Sequence, residues 1–177
     1  MNFLSISGSA RSASTNTILL ESMAENAPIG TTITLFDALQ KLPIFSPDLE
    51  ADIPTEVVRF ITMVSQSDGL IISSPEYVHA IPGGLKNAID WLVSGEAIIN
   101  KPVILVHASH RGEDMLSSLR LVLKTVTSNF NERLFMRFPL LSKSPTEARA
   151  FLKIDDNSQK MQNFITEFER YIADLSV

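Results

Sequence analysis

The chain of 177 residues has no cysteine, one tryptophan, two tyrosines and few basic side chains. Without cysteine there is no disulfide, no thiolate nucleophile and no cysteine-ligated metal, a composition that suits a cytoplasmic protein. No stretch reaches the ~18–20 apolar residues that a bilayer-crossing helix needs. The first residues also lack a basic segment followed by an apolar one, so neither a membrane partner nor a leader is expected. Lys and Arg total 15 against 20 Asp and Glu, a formal charge of −5. A nucleic-acid surface needs clustered Lys and Arg, and neither such a cluster nor a repeat or low-complexity tract is present. What is plentiful is apolar residues, at 45 %. That is ample for the core of a single domain covering residues 1–177.

Apolar runs alternate with amphipathic stretches along the whole chain. Phe3–Ser7, Thr31–Phe36, Gly69–Ser73, Pro102–His107 and Leu134–Phe138 read as strands. Helical stripes follow them in turn: Leu20, Met23, Ala24 and Ala27, closed by Gly30; Val57, Phe60, Ile61 and Val64 within Thr55–Ser67; Leu85, Ala88, Ile89 and Leu92; Leu119, Val122, Leu123 and Val126; and, from about Asn157, Met161, Phe164, Ile165 and Phe168. Leu42–Leu49 carries two prolines, which exclude a helix and a central strand alike. The strands are near-continuous apolar runs, as strands buried on both faces should be. The pattern predicts an α/β domain, a three-layer, doubly wound, five-stranded parallel sheet. Periodicity does not give the strand order.

Two loops stand out at strand ends. Gly8-Ser-Ala-Arg-Ser-Ala-Ser-Thr-Asn16 places hydroxyls, an amide, an arginine and a glycine between the first strand and the first helix. A phosphate monoester is bound by such a set: hydroxyl and backbone N–H donors, the positive end of a helix dipole and a cation. A nucleoside-triphosphate P-loop and the dinucleotide G-x-G-x-x-G are both missing. The competing reading is that Ser12 or Ser14 merely caps the helix. The second loop, Ser73-Ser-Pro-Glu-Tyr-Val-His-Ala-Ile-Pro-Gly-Gly84, lies at the carboxyl end of the third strand, where open α/β sheets bind ligands. On the helix after it, Trp91 falls off the apolar stripe beside Gly84 and Asn87, giving that helix a second surface.

Gly8-Ser-x-Arg-x-x-Ser-x-Asn16, together with Pro75-Glu-Tyr and Pro82-Gly-x-Leu-Lys-Asn-Ala-Ile-Asp-Trp91, resembles the NADPH-dependent FMN reductases. These are flavodoxin-like proteins that include quinone, chromate and azo-dye reductases. The resemblance implies that Ser9, Arg11, Ser14 and Asn16 hold the FMN phosphate with their side chains, and Thr15 through its backbone. It implies that Pro75, Glu76, Tyr77 and Val78 line the isoalloxazine, largely through main-chain contacts. The family often has Asn where this chain has Val78. Glu76, Lys86, Asp90 and Trp91 are associated in the family with a subunit interface. The plainer alternatives are a core residue for Trp91 and a solvated i, i+4 pair for Lys86 and Asp90.

The third loop, His107-Ala-Ser-His-Arg-Gly-Glu-Asp114, departs from the glycine-rich turn usual in relatives. Ser109, His110 and Arg111 are its cofactor-binding candidates, with His110 or Arg111 bringing positive charge to the reduced flavin. Two other readings stand beside that one: a loop that holds the ring poorly, and a simple helix start with Glu113 and Asp114 at the dipole's N-terminus. His107 and His110 have no third ligand and no zinc spacing, so no metal is expected.

The resemblance further implies NADPH as co-substrate, a ping-pong cycle with no catalytic acid or base, and a small-molecule acceptor such as a quinone, an azo compound, a metal oxyanion or free flavin. It also implies a homodimer or homotetramer. Rival readings are an FMN-binding electron carrier or sensor, weakened because Tyr77 is the only aromatic in the relevant loops, and a flavin-free interaction domain, motivated by Val78 and the third loop. A hydrolase is more distant: Ser7, Ser9, Ser73 and Ser74 lie near strand ends without a G-x-S-x-G elbow.

Overall fold

A computed structural model describes residues 1–11 and 13–175. Five parallel strands, β1 (Asn2–Ser7), β2 (Thr32–Phe36), β3 (Gly69–Ser73), β4 (Val103–His107) and β5 (Phe130–Arg137), lie in the order β2-β1-β3-β4-β5. Six helices connect and flank them: α1 (Thr15–Glu25), α2 (Thr55–Gln66), α3 (Gly83–Val93), α4 (Glu113–Val126), α5 (Pro145–Leu152) and α6 (Asp155–Asp174). Strand alternation sorts the core into two layers. Leu4, Ile6, Leu70, Ile72 and Leu105 face α2, α3 and α4, whereas Phe3, Ile71, Ile104 and Val106 face α1, α5 and α6. Every residue of β3 and β4 is buried, which accounts for their unbroken apolar character. No helix among the described residues is long and apolar enough to cross a membrane.

Three sequence expectations need correction. The first helix ends at Glu25, where the Asn26 side chain donates to the Ser22 carbonyl at 2.7 Å. Gly30 instead takes a φ of +89° in the turn before β2. The last strand begins at Phe130 rather than Leu134; Phe130 and Asn131 are half-buried and Glu132 and Arg133 exposed, so no apolar run marks its first half. Helix α5 was not expected, although Ser144 and Glu147 form a reciprocal capping box at its start. Eight residues are too few for a periodic stripe to announce the helix.

The irregular segment before α2 contains short 3-10 turns at Leu39–Lys41 and Pro47–Leu49. It is strapped to the second surface of α3. The Asn87 side chain accepts from Phe45 N–H at 2.8 Å and donates to the Pro43 carbonyl at 2.9 Å. Trp91 Nε1–H donates to the same carbonyl at 2.8 Å, and its ring packs edge-on to Phe45. Trp91 is fully buried inside the chain. The plainer reading of this residue therefore replaces an interface role. Lys86 and Asp90, each one position before Asn87 and Trp91, form an i, i+4 ion pair on the neighbouring solvent-facing flank of α3.

In this strand order the chain leaves β1 first toward β2 and then returns across it to β3, so β1 and β3 flank the topological switch point. Ligands of open parallel sheets bind outside the carboxyl ends of strands at such a point.

Candidate functional site

The first loop is set by the close approach of two strand ends. Gly8 N–H donates to the Ser73 carbonyl at 2.7 Å, extending the β1–β3 pairing by one bond. A Cβ on Gly8 would lie 2.4 Å from Ser74 Oγ and 2.9 Å from Ser74 Cβ, so only glycine fits. The chain then turns over the amino end of α1. Ser14 is the N-cap, its Oγ accepting from Asn16 N–H at 3.2 Å; Ser12 lies outside the described residues. Ser9 Oγ accepts from Arg11 N–H at 3.2 Å, which shapes the turn.

Asn16 is buried, and its Oδ1 accepts from Ser73 Oγ–H at 2.8 Å. That bond aims the amide and leaves Nδ2 without a hydrogen-bond partner among the described residues. The exposed Arg11 guanidinium likewise has none among them. Thr15 lies at the first position of α1, where N–H groups have no intrahelical acceptor. Two side-chain donors and a helix N-terminus thus lie on the one loop that follows β1. The chemistry of this set fits a phosphate dianion.

The loop after β3 forms the second wall. Tyr77 and Ala80 make an isolated antiparallel bridge around Val78 and His79, whose φ values are +52° and +57°. This is a tight two-residue turn of the kind Asn and Gly enter easily. A β-branched valine enters it only with strain. Tyr77 OH lies 3.4 Å from Ser9 Oγ, joining this wall to the first loop across the switch point. Pro75 is half-buried, and Val78 is almost fully exposed.

Glu76 turns away from the surface. Its Oε2 accepts from Met115 N–H at 3.0 Å, in the first turn of α4. Helix α4 begins at Gly112, which cannot cap with a side chain, so a carboxylate from another loop serves instead. The positive amino end of the α4 dipole and the carboxylate attract, fastening the β3 loop to α4.

The third wall follows β4. Ser109 Oγ accepts from Arg111 N–H at 3.0 Å, and Gly112 adopts a φ of +102° before α4. Glu113 and Asp114 do occupy the first helical turn, as the helix-start reading expects. His110 and Arg111 are exposed, and neither side chain has a bond among the described residues. Both remain free to meet a ligand. His107 at the end of β4 is buried, and its ring bonds the Arg111 carbonyl at 2.6 Å. Burial pushes its pKa below the ordinary 6.5.

No spacing in the chain announces that His79, Glu76 and Asp114 gather their ligand-type atoms within 4.8 Å of one another. His79 Nδ1 and Asp114 Oδ2 are already bonded at 2.6 Å, which leaves no room for an ion between them. We read the group as a surface latch between the second and third walls. The Asp114 bond raises the His79 pKa above its ordinary 6.5, followed by the charges of Asp114 and Glu76.

A cleft of about 270 Å³ beneath the first loop is lined by Ser7, Ser9, Arg11, Thr17 and Asp37. A larger groove of about 490 Å³ lies between β5 and α6, lined by none of the residues of the three loops. Its Asp156, Lys160 and Glu167 mix both charges without converging donors, so size does not decide the site.

The sequence profile of the NADPH-dependent FMN reductase family matches residues 1–133. Over 111 residues the chain is 38 % identical to the NADH:(hydroxy)cinnamate reductase subunit CrdA of Vibrio ruber, spanning 62 % of this chain and 54 % of that protein. Over 113 residues it is 29 % identical to a quinone reductase of Escherichia coli, spanning 62 % of this chain and 60 % of that one. The matches therefore span little more than half of these curated relatives. FerB, a flavoenzyme NAD(P)H:(acceptor) oxidoreductase from Paracoccus denitrificans, superposes with a TM-score of 0.76 at 23 % identity, over 98 % of this chain and 97 % of that one. At that identity the likeness speaks for the fold.

Proposed function

Because the chain belongs to the NADPH-dependent FMN reductase family, we propose that it binds FMN across the carboxyl ends of β1, β3 and β4. It would pass electrons from NADPH to a small acceptor such as a quinone, an azo compound, a metal oxyanion or free flavin. The observation that carries this reading is the donor set of the first loop. Arg11 and Asn16 Nδ2 stand without partners among the described residues, beside the amino end of α1.

In this reading Arg11 neutralises one phosphate charge, while Asn16, aimed by Ser73, donates from Nδ2. Thr15 donates from its backbone, and Ser9 and Ser14 shape the turn through their bonds to Arg11 N–H and Asn16 N–H. Pro75, Tyr77 and Val78 border the ring on one side, and Ser109, His110 and Arg111 on another. Glu76 supports the ring site from behind by holding α4. FMN, when bound, supplies the hydride-accepting and electron-donating centre, so the chain needs only to bind, orient and exclude. His110 and Arg111 supply positive charge at the open edge, where an electron-rich ligand is stabilised.

A second copy of the chain completes the site in this reading, as a homodimer or a dimer of dimers. Its support is the exposure of Tyr77, Val78 and Ile44 on loops beside the crevice. Light scattering on the purified protein checks the assembly. The activity is checked by NADPH oxidation with a benzoquinone acceptor, in the presence and absence of FMN. Turnover that requires both FMN and acceptor is expected. A protein loaded with FMN that leaves NADPH unoxidised would overturn the reductase reading.

A further inference from the structure

We propose that His107 is a positioning residue. From the end of β4 it holds the 109–112 turn down against the sheet, and so sets the third wall of the flavin crevice. Three geometric observations meet at this ring. Its Nε2–H donates to the Arg111 carbonyl at 2.6 Å, a bond that reaches the turn from the sheet. A Cβ on Gly112 would lie 2.9 Å from Nε2 and 3.6 Å from Glu76 Cβ, so the turn is packed between the imidazole and the second wall. Finally, Nδ1 is buried and makes no hydrogen bond of normal geometry among the described residues. The imidazole and Glu76 therefore act on the same turn from two sides. Glu76 holds α4 by its amino end, and His107 holds the residues leading into that helix.

The ring is neutral in this role. Burial is the main reason, and the charge of Arg137 on β5 acts in the same sense. Glu113 on α4 and the backbones of Arg111 and Ser74 favour the charged form without prevailing. Glu76 is the remaining ionisable neighbour in the packed turn. The unfolded chain takes up a proton near pH 6.5, and the folded ring only at lower pH. Stability from the neutral ring is thus complete above 6.5 and is lost as pH falls below it.

The consequence for ligand binding rests on the FMN reading above. Wild type, His107→Gln and His107→Ala are titrated with FMN by quenching of flavin fluorescence between pH 5 and 8. Amide hydrogen exchange is followed on the ligand-free proteins. The Gln amide can donate to the Arg111 carbonyl but does not titrate. His107→Gln is expected to bind FMN within about threefold of wild type at pH 7.5; the phosphate of FMN titrates alike in both proteins, so the signature of His107 is a ratio of the two affinities that moves against wild type as pH falls through the lowered His107 pKa. His107→Ala is expected to weaken FMN binding about tenfold, the size of one lost hydrogen bond. Its added exchange should be confined to residues 109–116. Equal weakening in Gln and Ala, or a ratio of wild-type to Gln affinity that does not change with pH, would overturn the proposal. If His107→Ala does not fold, that ratio decides alone. If wild type binds no FMN, the flavin reading fails by itself. The exchange pattern then decides the positioning role, with unchanged protection of 109–112 in His107→Gln and a wild-type response to acid counting against it.

Discussion

The first wall of the crevice and the two walls facing it are built by different means. The loop after β1 is shaped by its own neighbours: Ser9 bonds Arg11, Ser14 caps Asn16, and the sheet contributes Gly8 and Ser73. The loops after β3 and β4 hold one another through side chains far apart in sequence, Glu76 to Met115 and His79 to Asp114, and the second of them is also held by His107 at the end of β4. A wall of the first kind is set by bonds that are mostly local and by a glycine that is sterically required. Walls of the second kind depend on protonation states and on strain at Val78 and His79. The anion cradle is therefore expected to tolerate pH better than the ring-bordering loops.

The largest expected effect comes from attacking the first wall. Gly8→Ala forces a Cβ into Ser74 and should cost about 2–3 kcal/mol, read as a lower urea midpoint with an unchanged slope. A midpoint equal to wild type would mean that the strand ends yield easily. Arg11→Ala leaves the fold alone and should weaken FMN binding by roughly 1.5–3 kcal/mol if the guanidinium meets phosphate. Unchanged affinity would remove Arg11 from the cradle.

Effects on the facing walls are smaller. Glu76→Ala removes the cap of α4 and should cost about 1 kcal/mol of stability, whereas Glu76→Gln keeps an acceptor and should recover most of it. Equal losses in the two variants would place the effect in packing instead. Val78→Asn relieves a valine held at a φ of +52° and should stabilise by about 0.5–1 kcal/mol, raising the melting temperature slightly. A lower melting temperature would show that Val78 makes contacts worth more than its strain. The His79–Asp114 latch has the opposite pH sense to His107. Its contribution is present below pH 6.5 and fades as pH rises through the raised His79 pKa.

The difference between the walls also explains what the sequence could disclose. The strands and the three central helices are legible because β3 and β4 are buried on both faces and because Leu85, Ala88, Ile89 and Leu92 share one helical stripe. The first loop is legible because its donors are consecutive, from Gly8 to Asn16. The latches are not. Nothing near Glu76 says that its carboxylate caps a helix starting 37 positions later, since that pairing exists only once β3 and β4 are adjacent. The Gly at the start of α4 was the available hint, because a helix without a capping side chain needs a donor-satisfying group from elsewhere. For α5, the Ser144–Glu147 capping box was present in the sequence, but its short run lacked a stripe to confirm it. Trp91 shows the converse. Its position off the stripe correctly signalled a second buried surface, and the strap from Pro43 to Phe45 is what fills it.

The central claim is that the cradle at the β1–β3 switch point holds FMN and that the flanking loops present it to NADPH. An anaerobic absorbance titration tests this most directly, adding FMN to the purified protein and then NADPH. The account predicts saturable binding with a shifted visible flavin band, followed by prompt bleaching on NADPH. Failure to bind FMN would contradict the account at its root, and binding without bleaching would leave a carrier where it predicts a reductase.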